Sequence, residues 1–160
     1  MSVLLEVGSK APDFTLEDQN GQPVHLAERA SQNVIVLFFY PRDNSAGCTM
    51  EACAFRDSYE DFKDAGADVI GISGGTVEGK QEFVSKHRLP FTLVNDPETR
   101  VATAYGINKG LWGGFGAGRV TYVIDREGII RYAFESRVNM DAHAREALKM
   151  VQELAREMAR

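Results

Sequence analysis

Asn33 to Tyr40 reads NVIVLFFY, a near-continuous apolar run of β-branched and aromatic residues. That is the pattern of a central strand covered on both faces, not of one with a wet side. Ala67 to Ser73 (ADVIGIS) and Phe91 to Val94 predict two further strands. Between them apolar positions recur at helical spacing. Ala52, Phe55, Tyr59 and Phe62 form a stripe along a predicted helix from Thr49 to Ala65, which ends near Gly66, and Cys48 continues the stripe backwards by one turn. Val77 to His87 and Glu98 to Tyr105 predict two more helices. Asp141 to Met158 predicts a third, amphipathic one, with Ala144, Leu148, Val151 and Leu154 or Ala155 on one face. Val120 to Ile124 and Ile129 to Phe134 form a hairpin through Asp125-Arg-Glu-Gly128, and the turn formers Asp18-Gln-Asn-Gly21 join Ala11–Leu16 to Pro23–Leu26 in a smaller one.

Strand, helix, strand, helix, strand, then a hairpin and a closing helix specify an α/β protein with a mixed central sheet flanked by helices. This order is that of a thioredoxin-like fold with an N-terminal β-hairpin extension. With no internal repeat or linker, residues 1–160 are expected to form a single domain.

Composition narrows the function classes. Hydrophobic residues at 44% and charged residues at 26% are ordinary globular usage, which excludes a disordered or fibrous chain. A net charge of -5 with acids spread along the sequence leaves no basic face for nucleic acid. The start Met-Ser-Val-Leu-Leu-Glu has no basic leader and no apolar run approaches membrane length, so no membrane partner and a cytoplasmic location are expected. Lys109 to Gly118 (KGLWGGFGAG) is glycine-rich but leads into a strand, whereas phosphate-binding glycine loops lead into a helix.

Two cysteines, Cys48 and Cys53, are too few for a disulfide scaffold, and a metal reading of C-x4-C lacks nearby ligands because His25, His87 and His143 are scattered. Their use is expected to be chemical. Cys48 stands after the central strand at a helix start, where the partial positive charge of the helix N-terminus stabilises a thiolate, the nucleophilic form. If both cysteines were helical, five residues of rise and rotation would hold their Cα atoms roughly 8 to 9 Å apart. A disulfide tolerates at most about 7 Å. A bond between them therefore requires the first helical turns to unwind.

The segment Phe39-Tyr-Pro-Arg-Asp-Asn-Ser-Ala-Gly-Cys-Thr-Met-Glu-Ala-Cys-Ala-Phe-Arg-Asp57 resembles the active-site stretch of peroxiredoxins, in particular the bacterioferritin-comigratory-protein or peroxiredoxin Q group. Gly8-Ser-Lys-Ala-Pro-Asp-Phe-Thr-Leu16 and Arg119-Val-Thr-Tyr-Val-Ile-Asp-Arg-Glu-Gly128 resemble the same family, so the likeness covers nearly the whole chain. The family pattern P-x-x-x-T/S-x-x-C falls on Pro41, Ser45 and Cys48, and the distant family arginine falls on Arg119. The resemblance implies a thiol peroxidase in which Cys48 attacks a hydroperoxide and becomes a sulfenic acid. Ser45, the Cys48 backbone N–H and Arg119 would hold the peroxide oxygens, and Pro41 would shield the site. Cys53 would then resolve the sulfenic acid as an internal disulfide, and thioredoxin or a glutaredoxin-like dithiol would reduce it. No metal, haem or flavin cofactor is implied, and the intramolecular pair fits a monomer.

Other residues carry two readings each. Glu51 matches a family glutamate at the substrate site, yet an acid in the first helical turns is also what the helix dipole favours. Thr49 is a plausible N-cap. Trp112 and Phe115 could line an apolar entrance or anchor their loop. Ser45 where threonine is usual, and Ala46 where proline is usual, predict a looser loop with the same chemistry. Two alternatives remain open: a thioredoxin-like disulfide reductase, against which the spacing argues because such enzymes use C-x-x-C, and a redox sensor or holdase using the same switch.

Overall fold

The computed structural model describes residues 4–41, 43–107, 119–136 and 139–158. Seven strands form one mixed sheet: β1 (Thr15–Asp18), β2 (Pro23–His25), β3 (Val34–Phe39), β4 (Ala67–Ser73), β5 (Thr92–Asn95), β6 (Val120–Ile124) and β7 (Ile130–Glu135), in the order β2-β1-β5-β4-β3-β6-β7. β3, β4 and β5 run parallel, while β6 and β7 extend the sheet antiparallel beyond β3. The β1–β2 hairpin extends the opposite edge through an antiparallel pairing with β5. Every residue of β3 is buried, as its unbroken apolar run requires.

Period-two alternation along β3 divides the core into two layers. Ile35, Leu37 and Phe39 face a layer with Ile72, Tyr105 and Tyr122. Val34, Val36, Phe38 and Tyr40 face the other, filled by Phe55, Phe62, Phe83 and Val151. Cys48 belongs to this second layer. The helices are α1 (Leu26–Gln32), α2 (Ala46–Asp57), α3 (Tyr59–Asp64), α4 (Val77–His87), α5 (Arg100–Ala104) and α6 (Met140–Met158).

Several boundaries differ from expectation for physical reasons. α2 begins at Ala46 because Ser45, with extended backbone, accepts a hydrogen bond from the Cys48 N–H; Ser45, not Thr49, is the N-cap. The expected single helix from Thr49 to Ala65 is broken at Ser58, whose backbone leaves helical geometry at φ -102°, ψ 3°. The short α1 has no counterpart in the expected elements. Its seven residues bury only Leu26 and Ala30, too few to give a periodic signal.

Candidate active site

Antiparallel register makes the site. Phe39, the last residue of β3, pairs with Val120, the first of β6, so Arg119 arrives beside the loop that follows β3. Pro41, half-buried, begins that loop, and Ser45 ends it as the cap of α2. Cys48, in the first turn of α2, is fully buried, with its sulfur 3.5 Å from Arg119 Nη1. The same nitrogen donates to Glu51 Oε1 at 3.2 Å. The structure thus gathers Ser45, Cys48, Glu51 and Arg119 at one point. Arg119 is only 7% exposed, so it is no surface strand residue, and its Nε lacks a hydrogen-bond partner among the described residues. A buried guanidinium N–H without a partner is a donor available to a ligand.

Glu51 lies in the second turn of α2 and is 0% exposed, so the helix-dipole reading does not account for it. Burial pushes its carboxyl up from 4.5 to about 8, against the opposing charge and hydrogen bond of Arg119. Its Oε2 stands 3.3 Å from Nδ1 of His143, a buried residue of α6. Gly47 leaves room for this cluster, since a Cβ there would lie 3.2 Å from Arg119 Nη2 and 3.3 Å from Met140 Cε.

Cys53 lies farther along α2, partly exposed, and both thiols are free. With an intact helix from Ala46 to Asp57 between and around them, helix geometry holds the two Cα atoms about 8 to 9 Å apart. Trp112 and Phe115 lie outside the described residues.

The loop from Pro41 to Ser45 is tied down by groups that sequence reasoning missed. Asp43 accepts from the Tyr40 hydroxyl at 2.6 Å and from Lys80 Nζ at 3.1 Å. Lys80 is fully buried and also donates to Ser73 Oγ and to the Gly74 carbonyl. Burial pulls its ammonium pKa down, and Asp43 opposes that shift. The expected looseness took no account of this anchorage. Lys80 and His143 shared one legible signal: each is a polar residue inside the apolar stripe of its helix, Lys80 three before Phe83 and His143 four before Ala147.

The AhpC/TSA family model matches residues 7–133. Peroxiredoxin Q, chloroplastic, from Oryza sativa subsp. japonica is 46% identical over 147 residues, 92% of this chain and 67% of the rice protein. The crystal structure of peroxidoxin BcpB from Mycobacterium tuberculosis superposes with a TM-score of 0.87 at 35% identity, covering 94% of this chain and 98% of that one. Xanthomonas campestris peroxiredoxin Q gives a TM-score of 0.79 at 28% identity over 96% and 98% of the two chains. The rice protein's name also corrects the cytoplasmic expectation: a relative this similar is named chloroplastic, so the composition of the first residues does not fix the compartment. Site geometry, fold and sequence agree, and the chain belongs to the AhpC/TSA family, among the peroxiredoxins of the peroxiredoxin Q and bacterioferritin-comigratory-protein group.

Proposed function

We propose that this chain is a thiol-dependent peroxidase that reduces hydrogen peroxide and organic hydroperoxides to water and alcohols. The observation that carries the reading is the 3.5 Å contact between Arg119 Nη1 and Cys48 Sγ at the start of α2. There a helix terminus and a guanidinium both favour thiolate. The Cys48 thiolate attacks one peroxide oxygen, the O–O bond breaks, and the departing oxygen leaves with a proton as water or alcohol. Ser45, the Cys48 N–H and Arg119 hold the two oxygens in line while charge grows on the departing one. Pro41 shields the sulfur from water, and Glu51 braces Arg119.

The resulting Cys48 sulfenic acid condenses with the Cys53 thiol and releases water. The first turns of α2 unwind for this step. A dithiol protein of the thioredoxin or glutaredoxin-like kind then reduces the disulfide by exchange. The cycle uses no metal, haem or flavin, and residues 1–160 act as one domain and as a monomer, because both sulfurs come from one chain.

Cys48→Ser is expected to abolish turnover in a coupled assay with a thioredoxin system. Cys53→Ser is expected to permit one oxidation and then stall. Mass spectrometry of the peroxide-treated parent should show loss of two hydrogens through a Cys48–Cys53 link. Peroxide consumption that survives Cys48→Ser sinks the assignment, and an oxidised parent without that link removes the resolving role.

A further inference from the structure

We propose that Glu51 stands as a neutral carboxylic acid with its proton on Oε2 toward His143, and that this buried pair leaves the charge of Arg119 undivided for the Cys48 sulfur. The inference rests on Cys48 being the reacting thiol and adds two positioning residues behind it, one of them, His143, absent from the sequence reading of the site.

The tautomer of His143 comes first. Its Nε2 lies 2.8 Å from the backbone carbonyl of Ser136, which can only accept, so the ring proton is on Nε2. Nδ1 then carries a single lone pair, which the Thr121 hydroxyl at 2.8 Å and Glu51 Oε2 at 3.3 Å both face. Glu51 Oε1 is already engaged by Arg119, whereas Oε2 has no hydrogen-bond partner among the described residues and lies 3.3 Å from that same Nδ1. An ionised Oε2 would be a buried, unpaired anionic oxygen facing a ring lone pair, an arrangement that desolvation penalises heavily. A proton on Oε2 turns the repulsion into attraction.

The proton could instead sit on the ring. However, burial pushes His143 down to about 4, with Arg119 adding to the shift and the Ser136 carbonyl opposing it. Burial pushes Glu51 the other way, to about 8. Both directions put the single proton on the carboxyl. Arg119, just before β6, and His143, from α6, face Glu51 directly, while Cys48 of α2 touches Arg119 and Thr121 of β6 touches His143.

The consequence for chemistry is electrostatic. Arg119 Nη1 is 3.5 Å from the sulfur and 3.2 Å from Glu51 Oε1, so one N–H group serves both. With Glu51 ionised, a Cys48 thiolate would be the second anion around one cation in a buried site. With Glu51 neutral, the thiolate is the only anion there.

The test is a 13C NMR titration of the full chain labelled at glutamate carboxyl carbons, with the Glu51 resonance assigned by its loss in Glu51→Gln. The expected result is a protonated-acid shift at neutral pH and a midpoint near 8. A resonance already in the carboxylate position at neutral pH overturns the proposal. Should Glu51→Gln fail to fold, 15N shifts of the His143 ring in the parent decide the matter: an Nε2-protonated neutral ring supports it, and a doubly protonated ring at neutral pH overturns it. A pH profile reads the functional half. In a Cys53→Ser background, the alkylation rate of Cys48 is expected to lag severalfold behind its Glu51→Gln counterpart once pH passes the Glu51 midpoint, and profiles that coincide overturn it. The titrations need no turnover, so they fail or succeed independently of the peroxidase reading.

Discussion

At the scale of single residues, the site depends on what is small as much as on what is reactive. Alanine is a better helix former than glycine by about 1 kcal/mol, so propensity alone makes Gly47→Ala stabilising. The added Cβ, however, would sit 3.2 Å from Arg119 Nη2, and that guanidinium cannot retreat without leaving Cys48 and Glu51. Gly47→Ala is expected to keep its helical circular dichroism while slowing Cys48 oxidation about tenfold in stopped flow, equivalent to about 1.4 kcal/mol of barrier. Oxidation at or above the parent rate would show that Arg119 need not hold this position. Cys48 was legible from its place at a helix start after the central strand, whereas Ser45 and Arg119 were reached only through the family resemblance. The steric demand on Gly47 was not legible, because it arises only when β6 brings a residue 72 positions away against the helix start.

At the scale of elements, the loop between β3 and α2 places the cap, and its tether lies on another helix. Lys80 on α4 has a fully buried side chain, and its partner Asp43 is 11% exposed. Removing one member of a buried ion pair leaves an uncompensated charge and costs about 3 kcal/mol or more. Lys80→Met is therefore expected to lower unfolding stability by about that amount in urea denaturation. Adding Asp43→Asn should restore most of the loss, because an amide leaves no buried charge. A double variant as unstable as Lys80→Met alone would show that packing, not charge, governs the site. Strand β3 and the long helix α6 were legible because their patterns are long and uninterrupted. The start of α2 was misplaced by three residues because both Ser45 and Thr49 are good caps, and only the extended backbone at Ser45 chooses between them.

At the scale of the whole molecule, the order of elements was enough to specify a mixed sheet with helices on both faces, because strand and helix periodicities alternate cleanly along the chain. What periodicity could not supply was the meeting of α2, β6 and α6 around one buried carboxyl, and that meeting bears on global stability. The unfolded chain ionises Glu51 above about 4.5, while the folded chain keeps its proton up to about 8. Between those values folding takes up a proton, so this contribution falls as pH rises, by at most about 1.4 kcal/mol per pH unit. His143 acts in the opposite sense and in a lower window. Its folded pKa is depressed from 6.5 to about 4, so its contribution is intact above 6.5 and is lost as pH falls toward 4. From pH 6.5 to 8 only the Glu51 contribution of this pair changes. The parent should therefore lose more stability than Glu51→Gln over that interval, as measured by denaturation midpoints at the two pH values. The other titrating groups are common to both proteins, so equal losses would mean that the folded chain does not hold the extra proton at Glu51.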